Sequence, residues 1–238
     1  MSSDNYPYTS SARAKEITRK SVTRANLKYP HWKHSIMVHE IFLDTNALIH
    51  LCSVEEHQLH ALRTRIKKSG SIMSVSHVQI DESSVLVKFH EKGTEKNHKE
   101  VESYEQKIAE ALKSLTMKGI EVLVEPTKIC VQGIERQGYA VEAGKELGEL
   151  YDELRNEISA CEKSRGRPKN PLNIACDATI AVSSFGHDFF VTTDRCLYNS
   201  WHKVIGIHKI SLQQFKLPIA ICCGSSPEEV VDCILELL

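Results

Sequence analysis

The chain has 238 residues, of which 41% are hydrophobic, which is enough for one large domain or two small ones. Thirty Lys and Arg residues face 31 Asp and Glu residues, giving a formal net charge of -1, which excludes a bulk polycation and an acidic disordered tail. The N-terminal residues lack the apolar core of a signal peptide, and no run of about 18 apolar residues occurs. We therefore expect a soluble, cytoplasmic protein with no membrane partner.

Residues 1–37 differ in composition from the rest of the chain. They carry seven positive residues against only Asp4 and Glu16, a net charge of +5, and few aliphatic side chains. We interpret this stretch as a basic N-terminal arm and residues 38–238 as the folded domain. Two alternatives stay open for the arm, a contact with nucleic acid or a solvated segment without a partner.

From residue 38 onwards, short apolar runs alternate with helical patterns. In chain order, the pattern predicts a strand at 38–43, a helix at 47–68, a strand at 72–75, helices at 77–90 and 100–118, a strand at 120–124, a helix at 141–162, a helix opening at Asn170-Pro171, a strand at 189–191 and a last helix that starts from a capping box at Ser226. This alternation predicts an α/β sandwich with a central, mainly parallel sheet. The last helix is apolar around much of its circumference, so it either packs internally, which we favour, or joins two subunits of a homodimer.

Two aspartates lie at the carboxyl ends of predicted strands. Asp44 comes after strand 38–43, and Asp194 comes shortly after strand 189–191. Carboxylates at the ends of buried strands lose hydration unless a cation or hydrogen bonds compensate them. Because ligands bind in such folds at the carboxyl ends of the strands, we expect Asp44 and Asp194 to share one site.

Two further acids lie on predicted helices. Asp177 shares a helix face with small apolar residues, so its carboxylate should point to where the helix meets the sheet. Glu82 lies near the start of helix 77–90, with Asp81 as its competitor. Four carboxylates in one cleft suit Mg²⁺ or Mn²⁺, which prefer oxygen ligands and support phosphodiester hydrolysis. For each acid, a helix cap or a structural ion pair is the alternative.

Three strings, IFLDTNALI, NIACDATIAVSS and FFVTTD, together with the Glu82 helix resemble the PIN domain family of metal-dependent nucleases over about residues 38–205. The resemblance implies four metal-binding and catalytic acids, which are Asp44, Glu82, Asp177 and Asp194. It also implies that Asn46 shapes the first turn and that Thr192 holds a carboxylate or a water; we group both with the substrate site. Cys196 stands where many relatives carry a further Asp, which argues against a strong second metal site.

The resemblance further implies an endonuclease acting on single-stranded RNA rather than DNA, because most relatives cut RNA. The alternative is a catalytically weak PIN-fold module for nucleic-acid binding or scaffolding. A phosphatase of the haloacid-dehalogenase type is disfavoured, since Asn46 stands where such enzymes need a second Asp. An inhibitory protein partner remains open.

Four positive side chains precede the Asp177 helix within the segment KSRGRPKNP, namely Lys163, Arg165, Arg167 and Lys169. A basic loop beside an acidic cleft is suited to gripping phosphates. Its string RGRPK also resembles the core of an AT-hook, and a solvated linker is the third alternative.

The eight cysteines form no CxxC pair and lie among apolar residues, so we expect buried, reduced thiols, with a reactive or metal-bound cysteine as the alternative. The twelve histidines form no ligand pair typical of zinc, so zinc is not expected.

Overall fold

The computed structural model describes residues 38–79, 108–127, 145–166, 169–208 and 212–238. All of them belong to one compact unit, Ile36–Leu238. The predicted basic arm, residues 1–37, lies outside the described residues. No helix in the described ranges is long and apolar enough to cross a lipid bilayer.

Strands and helices alternate along the described chain. The elements are β1 Glu40–Leu43, α1 Thr45–Cys52, α2 Glu56–Ser69, β2 Ile72–Ser76, β3 Val122–Glu125, α3 Lys145–Ser164, α4 Pro171–Ser183, β4 Phe189–Thr192, α5 Arg195–His208, β5 Ile219–Cys222 and α6 Pro227–Leu237. Residues 77–79 and 108–117 are also helical.

The five described strands form one sheet, in the order β3-β2-β1-β4-β5, and every pairing is parallel. The predicted α/β sandwich is therefore confirmed. Strand order runs outward from β1 in both directions, so the sheet has a topological switch point between β1 and β4. Loops leaving neighbouring strands diverge at such a point and leave a cleft at the carboxyl edge.

Alternating side chains of the strands fill two hydrophobic layers. On one face of the sheet, Phe42 and Phe190 pack with Trp201 of α5 and with the apolar faces of α3 and α4. On the other face, Ile41 and Val191 pack with α1, α2, α6 and the helical segment 108–117. Both faces are therefore covered, which a parallel sheet requires.

The predicted helix 47–68 is wrong in its continuity, because the structure contains two helices there. The amide of Ser53 donates to the carbonyl of His50 and closes α1, and α2 begins at Glu56. Val54 between them is buried in the core, which anchors the turn. The end of α2 agrees with the prediction, since Gly70 caps it with a φ of 71°.

The last helix, α6, packs against other helices of the same chain, which is the alternative that the sequence favoured. Its predicted capping box is present, with the Ser226 hydroxyl accepting from the Glu229 amide and the Glu229 carboxylate accepting from the Ser226 amide. Its apolar face contacts α1 and α2 and buries Val230, Val231 and Ile234.

Sequence reasoning missed α5 and β5. In α5, Leu197, Trp201 and Val204 are all buried and recur at helical spacing, so the signal was present. The strand β5 is only four residues long and lies between Pro218 and Gly224, which gives too short a pattern for assignment. The predicted helices 77–90 and 100–118 are described only at 77–79 and from 108 onwards.

Candidate acidic site

Three of the four predicted acids lie together at the switch point. Asp44 directly follows β1, Asp194 follows the neighbouring strand β4 after one residue, and Asp177 projects from α4. Asp177 and Asp194 each place Oδ2 at 2.8 Å from Nζ of Lys169. The negative charge of Asp194 raises the pKa of both Asp44 and Asp177, and the charge of Asp44 raises the pKa of Asp177. Glu82, the fourth predicted acid, lies outside the described residues.

Asp44 is almost fully buried and hydrogen-bonded at both oxygens. Its Oδ1 accepts from the amide of Ala47 at 2.6 Å, which makes Asp44 the N-cap of α1. Its Oδ2 accepts from the hydroxyl of Thr192 and from the amide of Thr193. The helix-cap alternative is therefore present at Asp44, and the cap fixes its carboxylate beside the strand ends.

Asp194 also combines two kinds of contact. Its Oδ1 accepts from the amides of Cys196, at 2.7 Å, and Leu197, at 3.2 Å, in the first turn of α5. Its Oδ2 faces Asp177 across Lys169. The start of α5 therefore orients the carboxylate of Asp194, whereas Asp177 projects from a face of α4.

Lys169 is the counter-ion of this group. Besides its two contacts at 2.8 Å, its ammonium lies 4.0 Å from the carboxylate of Glu162 at the end of α3. Glu162 is itself buried, with a side chain that is 9% exposed. One ammonium thus lies among carboxylates from α3, α4 and the β4–α5 turn.

Burial and charge shift the pKa values of these groups in different directions. Burial raises the pKa of Asp44 to about 6, against the hydrogen bonds from Thr192, Ala47 and Thr193 that lower it. Burial likewise raises the pKa of Asp177 to about 6, although the nearby Lys169 lowers it. Burial also acts to raise the pKa of Asp194, but Lys169 and the two helix amides outweigh it and hold that pKa below its usual value. Burial therefore opposes the charged forms of Asp44 and Asp177, whereas Lys169 and the helix amides favour the charged form of Asp194.

Asp177 and Asp194 carry donor atoms of the kind that a divalent cation takes, and both already contact one cation, the ammonium of Lys169. Asp44, Asp177 and Asp194 supply hard carboxylate oxygens, which Mg²⁺ and Mn²⁺ prefer. Asp44 differs from the other two, because both of its oxygens accept hydrogen bonds from the chain.

A cleft of about 810 Å³ opens beside the acids. Its described lining combines basic and acidic side chains with small polar ones, namely Asn46, His50, Glu162, Arg165, Lys169, Thr193, Asp194, Arg195 and Ser225. The opening of the acid cluster is therefore flanked by guanidinium groups.

The predicted substrate-binding residues separate into several groups. Asn46 is exposed and lines the cleft, as does Arg165. Lys169 lines the cleft as well, but its ammonium contacts carboxylates, which the prediction of a phosphate-gripping loop did not anticipate. Lys163 is exposed and lies outside the described lining of the cleft. Arg167 lies outside the described residues.

The prediction that Thr192 belongs to the substrate site is wrong, because its side chain is fully buried. Its hydroxyl instead donates to Asp44, the type of contact with a neighbouring carboxylate that the resemblance implied.

The expectation of reduced thiols is wrong for one pair, since Cys161 and Cys196 form a disulfide between α3 and the start of α5. The remaining described cysteines carry thiols. The side chains of Glu162, Asp194 and Cys196 lie within 4.8 Å of one another, but the sulfur of Cys196 is engaged in the disulfide and in a contact with Arg165.

Sequence reasoning also missed residues that shape the site. Gln79 is fully buried, and its amide group donates to the carbonyl of Leu43 and accepts from the amide of Ser76, which ties the ends of β1 and β2 together beside Asp44. A glutamine within a predicted helix carries no signal for such a role. Arg195, in contrast, directly follows Asp194 and could have been found from its position.

Comparison of the chain with protein-family models, with curated proteins and with solved structures found no match in any of the three. The resemblance to PIN domains therefore stays a prediction that rests on the residues themselves.

Proposed function

We propose that the protein is a Mg²⁺- or Mn²⁺-dependent nuclease that hydrolyses phosphodiester bonds, with single-stranded RNA as its substrate and internal cleavage as its mode. The observation that carries this proposal is the convergence of Asp44, Asp177 and Asp194 at the switch point of a parallel sheet. Their order along the chain and their neighbouring residues are those that suggested a PIN-type nuclease.

The residues of the chain would act in distinct ways. Asp44, Asp177 and Asp194 would hold the ion, and Glu82 would complete the set. A divalent ion bound there would supply Lewis acidity, lowering the pKa of an attacking water and offsetting the charge of the phosphate. Thr192 keeps Asp44 in place through its hydroxyl, and Gln79 holds the strand ends that present it.

Substrate binding would fall to the rim of the cleft. Arg165 and Arg195 line it and offer guanidinium groups that match phosphate oxygens. Asn46 adds an exposed amide at the first turn of α1. Positive groups at this rim would hold the RNA backbone against repulsion by the carboxylates.

The decisive experiment compares the wild-type protein with Asp177→Asn, which removes one charge with little change in shape. The matched control is Asp152→Asn, because Asp152 is exposed on α3, where it pairs with Arg155 away from the three acids. A circular single-stranded RNA is the substrate, since only an internal cut can open it, and a DNA circle of the same sequence tests the choice of sugar. We expect Mn²⁺-dependent opening of the RNA by the wild type and the control and its loss in Asp177→Asn. Equal opening by Asp177→Asn would refute the proposal.

A second candidate, a PIN-fold module that binds nucleic acid or serves as a scaffold, is favoured by one observation. Lys169 already neutralises Asp177 and Asp194, and Asp44 and Asp194 cap helices, so all three acids have structural partners. Titration calorimetry with Mn²⁺ near neutral pH separates the two candidates. Heat of binding that disappears in Asp177→Asn supports the nuclease, and its absence in the wild type supports the scaffold.

A further inference from the structure

The carboxylate oxygens of the site are not equivalent. In Asp44 and Asp194, Oδ1 accepts from backbone amides of the following helix, so it is committed to capping. The oxygens with which Asp177 and Asp194 face each other are their Oδ2 atoms. Both lie at the same distance, 2.8 Å, from one atom, Nζ of Lys169. The point between these two carboxylates is thus a cation position, and the chain fills it with its own ammonium.

The surroundings of Lys169 resemble those of a bound ion more than those of a surface ion pair. A third carboxylate, from Glu162, lies 4.0 Å away, and the Lys169 side chain is only 28% exposed. An ammonium loses much of its hydration in such a place, and close carboxylates compensate for that loss. The same carboxylates hold the pKa of Lys169 above its usual value, against the opposing effect of burial.

Two cations cannot share this position. A divalent ion held by Asp177 and Asp194 would compete for the Oδ2 atoms that Lys169 now contacts. The positive charges of the ion and of the ammonium would also repel each other there. We propose that Lys169 is a tethered competitor of the metal: its ammonium bridges Asp177 and Asp194 until a divalent ion displaces it, and it then binds a phosphate of the substrate. This proposal deepens the function proposed above and rests on it.

The cleft gives the displaced side chain a destination. Lys169 lines the cleft together with Arg165 and Arg195, so its ammonium would join two guanidinium groups there. A phosphodiester chain in the cleft offers an anionic partner in exchange for the carboxylates. Metal binding and RNA binding would therefore favour each other. The metal displaces the ammonium of Lys169 from the acids, and a phosphate of the RNA binds the displaced ammonium.

The first test measures Mn²⁺ affinity of the full-length protein by calorimetry, without RNA. In Lys169→Met the internal competitor is absent, so we expect binding about tenfold tighter than in the wild type. Lys203→Met is the matched control, because Lys203 is exposed on α5 and pairs with Glu157. Equal or weaker Mn²⁺ affinity in Lys169→Met would refute the proposal that Lys169 competes with the metal, but not the proposal of a metal site. If neither the wild type nor Lys169→Met bound Mn²⁺, the metal-dependent function would fail and the competitor with it.

The second test uses only the wild-type protein and so does not depend on the folding of Lys169→Met. Acetylation of lysines by an amine-reactive ester is followed by peptide mass spectrometry, with and without saturating Mg²⁺. Held between carboxylates, Lys169 should react slowly, and Mg²⁺ should make it react several-fold faster while Lys203 is unchanged. An unchanged rate at Lys169 in protein that binds Mg²⁺ would show that the ammonium stays where it is, which contradicts the proposal.

Discussion

The hydroxyl of Thr192 donates a hydrogen bond to Oδ2 of Asp44, and so joins the last residue of β4 to the residue that follows β1. Both residues are buried, so water cannot replace this bond. The hydrogen bond also lowers the pKa of Asp44 and partly offsets the effect of burial. Thr192 therefore supports both the fold and the charged state of the site.

Thr192→Val removes the hydroxyl with little change in shape. We expect it to destabilise the protein by about 1 to 3 kcal/mol, because a buried carboxylate oxygen loses a donor. The pKa of Asp44 should rise further. Urea unfolding measures the first effect, and a carbon-detected NMR titration of Asp44 measures the second.

Thr193→Val is the matched control, since Thr193 contacts Asp44 through its backbone amide, which the substitution retains. Thr192→Ser, which keeps the hydroxyl, should stay close to the wild type in the pKa of Asp44. If Thr192→Val changed neither the free energy of unfolding nor the pKa of Asp44, the hydrogen bond would contribute nothing to either in solution.

Without metal, the stability of the protein should depend on pH through Asp44 and Asp177. Folding raises the pKa of both carboxyls to about 6, from an ordinary value of 3.8. Between these values the folded state binds more protons than the unfolded state, so stability falls as the pH rises. The stabilisation is complete below the ordinary pKa and is lost as the pH passes about 6. Its size is on the order of 3 kcal/mol for each carboxyl.

Asp194 acts in the opposite direction but in another pH range. Its lowered pKa gives stability above its ordinary value of 3.8 that is lost on further acidification. Urea unfolding in EDTA between about pH 4 and pH 7 measures the slope. Asp177→Asn should make the free energy of unfolding less dependent on pH, and Asp152→Asn should leave this dependence unchanged. A free energy of unfolding of the wild type that rises with pH throughout this range would contradict the prediction.

The disulfide between Cys161 and Cys196 closes a segment with a sequence separation of 35 and joins α3 to α5. A cross-link of this length restricts the unfolded chain and should stabilise the fold by about 3 to 4 kcal/mol. Reduction of the wild type should therefore lower its free energy of unfolding by about that amount. Cys161→Ser should resemble the reduced wild type and should not respond to reductant. An equal response of both proteins would exclude a disulfide at this pair.

The sequence predicted the sheet well because its strands are buried on both faces. Runs such as IFL at 41–43 are apolar throughout, and only a covered parallel strand allows this. The break between α1 and α2 was not predictable in the same way, because it depends on Val54 finding a place in the core. Strand β5 is too short to stand out.

The site was predicted unevenly for a physical reason. Asp44 and Asp194 follow buried strands, and the carboxyl ends of parallel strands lie at the same edge of the sheet. Lys169 belongs to a run of basic residues whose spacing says nothing of which charges they will face. Its place among the acids depends on how α3, α4 and the β4–α5 turn meet. The contact of Cys161 with Cys196 depends on how α3 meets α5. Local patterns report elements, whereas pairings between distant elements need the packed structure.

Arg195 provides a test of the cleft as the RNA-binding surface. It is exposed, lines the cleft and directly follows Asp194, so a phosphate held there would lie beside the acids. In EDTA, where no cleavage competes, Arg195→Ala should weaken binding of a single-stranded RNA and reduce the slope of log affinity against log salt by about 0.7, the value for one phosphate contact. Fluorescence anisotropy at several KCl concentrations measures both. Lys203→Ala, on the same helix but outside the described lining of the cleft, should retain the slope of the wild type. If the two variants behaved alike, the RNA would bind elsewhere, because only a residue in contact with a phosphate changes the number of ions released.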